Sequence, residues 1–310
     1  VSERPDVTVV VESYNLAEGS GLERFRLALR AAADMLEAHG NGELLVTDAA
    51  GDGTVAEVLE REFPAARRVD AQGLGYDEAK RRAAVEAESD FVVYLDGDCI
   101  PADGWLDAHL VALRSGAHAT TGFTRYDGGW WGAIESVLDF GFVLPARERV
   151  AECYTSNNAG FRRSTLLAVP HPPGPMRCRC YAHAQELIKR GTPVRMVPGA
   201  QTYHERQSLV DERFRQGFDA VAACWVNPGL REAPLLRLGP LAAPLFYARA
   251  VLLDWWRVLA GRRELGLAPW QAVASLPAFP LLRLIDLAGM VRALAPGGRT
   301  SRVGLKAAAK

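Results

Sequence analysis

The apolar positions of this chain follow two rhythms, and the switch between them marks out its elements. Val7-Thr8-Val9-Val10-Val11 is an unbroken, mostly β-branched run, and Glu12-Ser13 places the first charge where a strand should stop. Tyr14 and Asn15 open a loop. Leu22, Phe25, Leu29, Ala32 and Leu36 then recur three and four apart and close at Gly40, the pattern of an amphipathic helix laid on a sheet. Glu43 to Asp48 reads as a second strand that again ends on a carboxylate, and Gly51-Asp52-Gly53-Thr54 as a turn with Thr54 as a helix cap. Arg67 to Asp70 is a weaker third strand, and a helix from Tyr76 to Glu88 leads into Phe91-Val92-Val93-Tyr94-Leu95, apolar enough to be covered on both faces. This alternation predicts an α/β fold with a mixed, mostly parallel central sheet flanked by helices.

Beyond the turn Pro101-Ala102-Asp103-Gly104 the pattern predicts a helix from Trp105 and a strand at Ala119–Phe123. Gly128-Gly129 opens an aromatic stretch with Trp130 and Trp131. Pro170, Pro172, Pro173 and Pro175 exclude helix interior and central strand, so an exposed loop is expected there, one placed to cover a site. A helix from Tyr181 to Arg190 and a strand at Val194–Val197 lead to Tyr203-His204. From Leu241 the composition changes to two apolar helical regions, Leu245–Trp256 and Ala268–Leu294. Arg249 and Asp254 interrupt one, Arg283 and Asp286 the other, so neither offers the run of about 18 apolar residues that a spanning helix needs. The predicted organisation is an α/β domain over residues 1–230 and a helical segment over 231–310. That segment has two readings. It packs on the core or pairs with a second subunit as a homodimer, or it is a peripheral membrane platform with Trp255, Trp256 and Trp270 at headgroup level.

Composition adds mainly exclusions. The chain has 310 residues, 49% of them hydrophobic and 24% charged, with a formal net charge of -1. That excludes a disordered chain and gives no electrostatic reason to expect a nucleic-acid partner. Five scattered cysteines read as reduced thiols, and Cys178-Arg179-Cys180 is too tight for a zinc knuckle. Val1–Pro5 lacks the basic-then-apolar order of a signal peptide, and the expectation is a cytoplasmic protein, if membrane-associated then on the cytoplasmic face.

The chemistry concentrates at Asp96-Gly97-Asp98, where the fourth strand stops. Open α/β sheets bind ligands at the carboxyl ends of their strands, and two carboxylates this close repel unless a cation lies between them. By itself the motif is more often a solvated loop than a metal site.

The ordered set of segments carries more weight than the motif. Val7–Asn15, Asp48 with Gly51-Asp52-Gly53-Thr54, Gly73-Leu74-Gly75 with Lys80 and Arg81, Leu95-Asp96-Gly97-Asp98 with Pro101 and Trp105, Asn158–Arg163 and His204 resemble the family-two glycosyltransferases. These are sugar-nucleotide-dependent enzymes of the GT-A fold, and the resemblance covers roughly residues 7 to 210. It implies transfer of a sugar, with inversion, from a nucleotide-diphosphate donor, UDP-sugar foremost, to a hydroxyl of a small-molecule or lipid-linked acceptor. Ser13, Tyr14, Asn15, Asp48, Lys80 and Asp96 would then meet the donor. Asp98 and His204 would hold Mn²⁺ or Mg²⁺, and Trp130, Trp131, Asn157 and Asn158 would meet the acceptor, on a side of the sheet where Tyr154 also falls. A nucleotidyltransferase shares the nucleotide-binding layout but releases pyrophosphate.

The sequence departs from that family in two places. Glu12 stands where a proline is common, and the acidic pair expected before the Tyr181 helix falls on Arg179 and Cys180. Three routes stay open: a displaced base, with His183 and Glu186 sharing one helix face or His171 nearby; no protein base at all; or a donor-binding scaffold that has lost transfer.

Overall fold

The computed structural model describes residues 4–17, 21–172, 176–206, 208–226, 229–230 and 232–295. Two compact units emerge. One comprises Val1–Arg125, Ala146–His171 and His183–Glu205, the other Tyr126–Pro145, Pro172–Ala182 and Arg206–Lys310.

In chain order the first unit begins with β1 (Val7–Glu12), α1 (Tyr14–Ala17), α2 (Leu22–His39), β2 (Gly42–Asp48), α3 (Thr54–Glu62), β3 (Arg67–Asp70), α4 (Tyr76–Glu86) and β4 (Phe91–Asp96). It continues with β5 (Cys99–Pro101), α5 (Trp105–Arg114) and β6 (Ala119–Tyr126). After α6 (Gly129–Phe140), which lies in the second unit, come β7 (Arg149–Ala151), β8 (Asn158–Arg162), α7 (Arg163–Ala168), α8 (Met176–Lys189) and β9 (Val194–His204). The sheet runs β3-β2-β1-β4-β8-β6-β9-β5, with β7 on β9. Strands β3, β2, β1 and β4 are parallel, as the alternating pattern predicts. β8 turns antiparallel against β4, and β5 against β9.

Every residue of β1 is buried because the strand is central and covered on both faces. Val7, Val9 and Val11 pack with Phe25, Leu29, Ala32 and Leu36 of α2, the helical stripe visible in the sequence. His109 and Asn158 satisfy one another inside the first unit. His109 Nδ1 lies 2.8 Å from Thr120 Oγ1, and its Nε2 lies 2.9 Å from Asn158 Oδ1.

The second unit is helical: α6, then α9 (Leu209–Val226), a 3₁₀ stretch (Ala233–Leu241), α10 (Ala242–Ala260), α11 (Pro269–Ala274) and α12 (Ala278–Leu294). Helices α9 and α12 touch backbone to backbone. A Cβ on Gly217 would lie 1.9 Å from the Asp286 carbonyl oxygen, and one on Gly289 2.1 Å from that of Phe214. The second unit takes in α6 and α9, both of which precede the boundary at 230 that composition suggests. By length and apolarity Ala233–Ala260 would suffice to cross a bilayer despite Arg249 and Asp254, contrary to the sequence expectation. The helix is nevertheless broken at Gly239, whose φ of 56° leaves the helical region.

Candidate functional site

β1 and β4 are parallel neighbours in a register that pairs Glu12 with Asp96, so two carboxyl groups reach the same sheet edge together. The chain then turns tightly. The Gly97 amide donates to the Glu12 carbonyl at 2.8 Å, and a Cβ at this position would lie 2.6 Å from the Phe25 ring. Glycine lets Asp98 fold back against β1 here.

β5 follows at once and pairs antiparallel with the end of β9, placing Cys99 opposite His204. This non-local pairing builds the site. His204 Nε2 lies 3.5 Å from Asp98 Oδ2, and Cys99 Sγ lies 3.6 Å from Asp98 Oδ1. One ligand atom from each of the three residues falls within a sphere of contacts no longer than 4.8 Å. His204 Nδ1 is 2.6 Å from the Glu205 carbonyl, to which it donates, which leaves Nε2 as the ring nitrogen toward Asp98. Arg24 of α2 pins both strands, donating to the carbonyls of Tyr203 at 2.6 Å and Asp98 at 3.3 Å.

Burial and mutual repulsion dominate the electrostatics of the site. Burial pushes the Asp98 carboxyl above its ordinary range; the His204 imidazole pulls it back and Asp96 pushes it further. Glu12 is driven well up, first by burial and then by Asp96, and one of its oxygens has no hydrogen-bond partner. A carboxylate and an imidazole with a thiol at hand fit a divalent transition ion such as Mn²⁺ better than Mg²⁺, which keeps to oxygen ligands.

Asp96 is held differently. Tyr76 Oη donates to its carboxylate at 2.7 to 2.8 Å, and Lys80 Nζ lies 2.6 Å from Oδ1. Lys80 also donates to Tyr76 Oη and to the Ser156 carbonyl, each at 2.6 Å. The sequence suggests that Lys80 meets the donor; instead it is buried, and its contacts are those of a residue that fixes Asp96. Burial and the nearby Asp96 and Glu12 raise the Tyr76 phenol well above its ordinary value, so it stays a donor.

The nucleotide half is more loosely legible. Asp48 ends β2 with Oδ1 accepting the Gly51 amide at 3.0 Å and Oδ2 paired with Arg68 at 3.1 Å. The Ser13 hydroxyl accepts the Ala49 amide at 3.2 Å, so it ties β1 to β2 instead of reaching out to a ligand. Tyr14 stands edge-on to Tyr76 with ring centroids 6.1 Å apart. Asn15 belongs to α1, and its side chain lies outside the described residues, as do Pro173 and Pro175 of the proline loop.

The expected base pair does not assemble. His183 is fully buried, with Nδ1 2.7 Å from Tyr154 Oη and Nε2 2.7 Å from the Val169 carbonyl. Tyr154 Oη also meets His171 Nε2 at 2.6 Å. Burial, reinforced by His171, lowers the His183 pKa to about 3, and both of its nitrogens are occupied. Glu186 faces away and pairs with Arg190 at 2.8 Å. Three residues apart on one helix did not mean one site, because the helix buries one side chain and exposes the other.

The buried neutral histidines set a pH limit on stability. Burial lowers His109 to about 4. The unfolded chain therefore takes up protons on these rings near pH 6.5 while the native state refuses them. Stability contributed by His109 and His183 is fully present above about pH 6.5 and lost as pH falls toward their folded values. For His109 alone the loss is roughly 3 kcal/mol at the acid limit. Denaturant unfolding at pH 7.5, 6 and 5 should show this decline, and His109→Gln should flatten it. A stability flat across that range would contradict the assignment.

The proposed acceptor residues are split. Asn158 is buried, with Oδ1 accepting from Trp105 Nε1 at 2.8 Å and near His109, and its amide donating to the Ala200 carbonyl at 3.0 Å. That amide is spent within the core. Asn157 Oδ1 accepts from Thr124 at 2.9 Å. Trp130 and Trp131 lie in the second unit, where Trp130 bonds Ser275 at 2.7 Å and stands edge-on to Trp270, while Trp131 bonds Glu135 at 2.9 Å.

Among solved structures the chain is similar to a mannosyltransferase from Pyrobaculum calidifontis, whose structure holds GDP-mannose and Mn²⁺. The TM-score is 0.57 at 17% identity, over 94% of this chain and 88% of that one. The fold is that of the GT-A glycosyltransferases. A mycobacterial protein shares it with a TM-score of 0.50 at 18% identity, over 68% of this chain and 70% of that one. No protein-family model matches the sequence, and no curated protein matches it. In GT-A terms the Asp98–His204 cluster sits at the carboxyl edge of the parallel strands, where such folds gather ligands.

Tyr76, Cys99 and Arg24 escaped the sequence reading as site residues, and Tyr154, read there as an acceptor-side aromatic, bonds His171 and His183 instead. The Tyr76–Lys80 spacing of four on one helix was the available signal for the first; the others depend on tertiary contacts.

Proposed function

We propose that this chain is a metal-dependent glycosyltransferase that moves a sugar from a nucleotide-diphosphate donor to an acceptor hydroxyl. The observation that carries the reading is the pairing of Asp98 with His204, whose Nε2 lies 3.5 Å from the carboxylate while Nδ1 is tied to the Glu205 carbonyl. Asp98 and His204 would hold Mn²⁺, which supplies positive charge for a departing diphosphate. Asp96, held in place by Lys80 and Tyr76, would face the ribose, with Asp48 and Tyr14 flanking the nucleoside. With His183 shut in the core, the inverting reading relies on an acceptor that is itself nucleophilic or on a donor phosphate oxygen that takes its proton. Uridine is the first base to test. Guanosine is tested beside it because the similar mannosyltransferase holds GDP-mannose.

The missing acidic pair at Arg179 and Cys180 favours one further reading, a donor-binding scaffold. One experiment separates them. A panel of UDP- and GDP-sugars with and without Mn²⁺ should raise Tm only where sugar nucleotide and metal are both present. Slow release of nucleoside diphosphate from the stabilising donor then marks transfer chemistry. Stabilisation without turnover toward any acceptor or water marks the scaffold, and release of pyrophosphate a nucleotidyltransferase. No stabilisation by any donor would overturn the reading.

A further inference from the structure

Helices α10 and α12 bury charged side chains beside an apolar core and leave other apolar side chains outside. Helix α12 directs Arg283 and Asp286 inward and leaves Leu281, Leu284 and Val291 exposed, Leu281 at 67%. Helix α10 buries Asp254 completely while Leu245, Leu252 and Trp256 stand outside, Leu252 at 61%. The inward charges pair with one another. Arg283 donates to Asp254 at 2.7 and 3.1 Å and to Asp286, and Arg213 of α9 pairs with Asp139. A surface helix in water shows the opposite order, with apolar residues in and charges out. Here buried charges carry a desolvation cost, and apolar side chains aligned along two helices meet water. The second cost disappears if hydrocarbon covers that face.

Charge identifies the cover. Residues 231–310 carry twelve Arg and Lys against four Asp and Glu, a net charge of +8, which leaves -9 on residues 1–230 within the total of -1. Two of the four acids, Asp254 and Asp286, are the buried ones. Four of the twelve cations, Arg299, Arg302, Lys306 and Lys310, fall in the last fifteen residues, which hold no acid. A second copy of the chain would bring a segment with the same excess of cations. An anionic bilayer answers both properties, since its headgroups attract the cations and its acyl region accepts the leucines and tryptophans.

We propose that the exposed face of α10 and α12 lies on an anionic lipid surface. Ala242, Phe246, Val251 and Val258 bury the other side of α10 against protein, so one face of the helix is offered to lipid. The inference is independent of glycosyl transfer and gives the protein a peripheral attachment of its own.

The test is vesicle flotation of the full chain. It should float with phosphatidylcholine vesicles containing phosphatidylglycerol, and at least about tenfold less with phosphatidylcholine alone or in high salt. A Leu252→Glu, Leu284→Glu double variant should keep the wild-type Tm, since both side chains are exposed, and lose flotation. Should that variant fold poorly, wild-type tryptophan fluorescence should still be quenched by acyl chains brominated near the headgroup. Recovery of wild type away from anionic vesicles, absence of quenching, or equal flotation of a folded variant would each overturn the proposal. So would a stable dimer that Leu252→Glu splits into monomers, because the face would then be a protein interface.

Discussion

Asp98→Asn is expected to abolish Mn²⁺-dependent binding of the sugar nucleotide and to cut turnover by about a thousandfold or more, since the metal carries the electrostatic stabilisation of the leaving diphosphate. Calorimetry with the stabilising donor, with and without Mn²⁺, reads the first effect, and nucleoside-diphosphate release reads the second. The fold should not suffer. Burial and Asp96 both push Asp98 toward its neutral form, so an amide of the same shape removes a strained charge. A variant with wild-type Tm and no metal response would locate the loss in the site. Unchanged affinity in the variant would move the metal to other ligands.

Lys80→Met is expected to destabilise the protein by about 3–5 kcal/mol, the usual cost of stripping one partner from a buried ion pair. The Lys80–Asp96 contact is 2.6 Å with both side chains almost wholly buried, and methionine cannot replace the bonds to Asp96, Tyr76 and the Ser156 carbonyl. Adding Asp96→Asn should recover much of that loss, because it removes the orphaned charge. Urea unfolding of the two single variants and the double variant gives the coupling. A single variant within about 1 kcal/mol of wild type would show that Lys80 does not hold Asp96 in the way its geometry indicates.

The two predictions separate roles that the sequence merges. Lys80, Asp96 and Asp98 all lie near one motif, yet Lys80 is a positioning residue, Asp96 its fixed target and Asp98 the group opposite His204. The same distinction disposes of His183. A histidine engaged at both nitrogens and lowered to about 3 holds Tyr154 and the Val169 carbonyl together, which links α8 to the segment before β8 and to the end of α7.

The sequence by itself determined what depends on local periodicity. The β-branched run at Val7–Val11, the three-and-four spacing of α2 and the apolar run ending at Asp96 can bury their side chains in only one way, so β1, α2 and β4 form where the pattern places them. The strand-end positions of Asp48, Asp96 and Asp98 follow from the same logic, since a charge terminates a buried strand. Tertiary structure decided what distant segments do to one another. His204 meets Asp98 because β5 pairs with β9, and no spacing in the chain encodes a pairing closed across about a hundred residues. The same holds for Asn158, whose polarity suggested a ligand but whose amide is consumed by Trp105 and Ala200. The C-terminal helices show the limit most clearly. Their sequences mix leucines with Arg283, Asp254 and Asp286, and periodicity fixes which residues share a face but not which face turns inward. Partner charges on neighbouring helices made that choice, and they drew the charged side in.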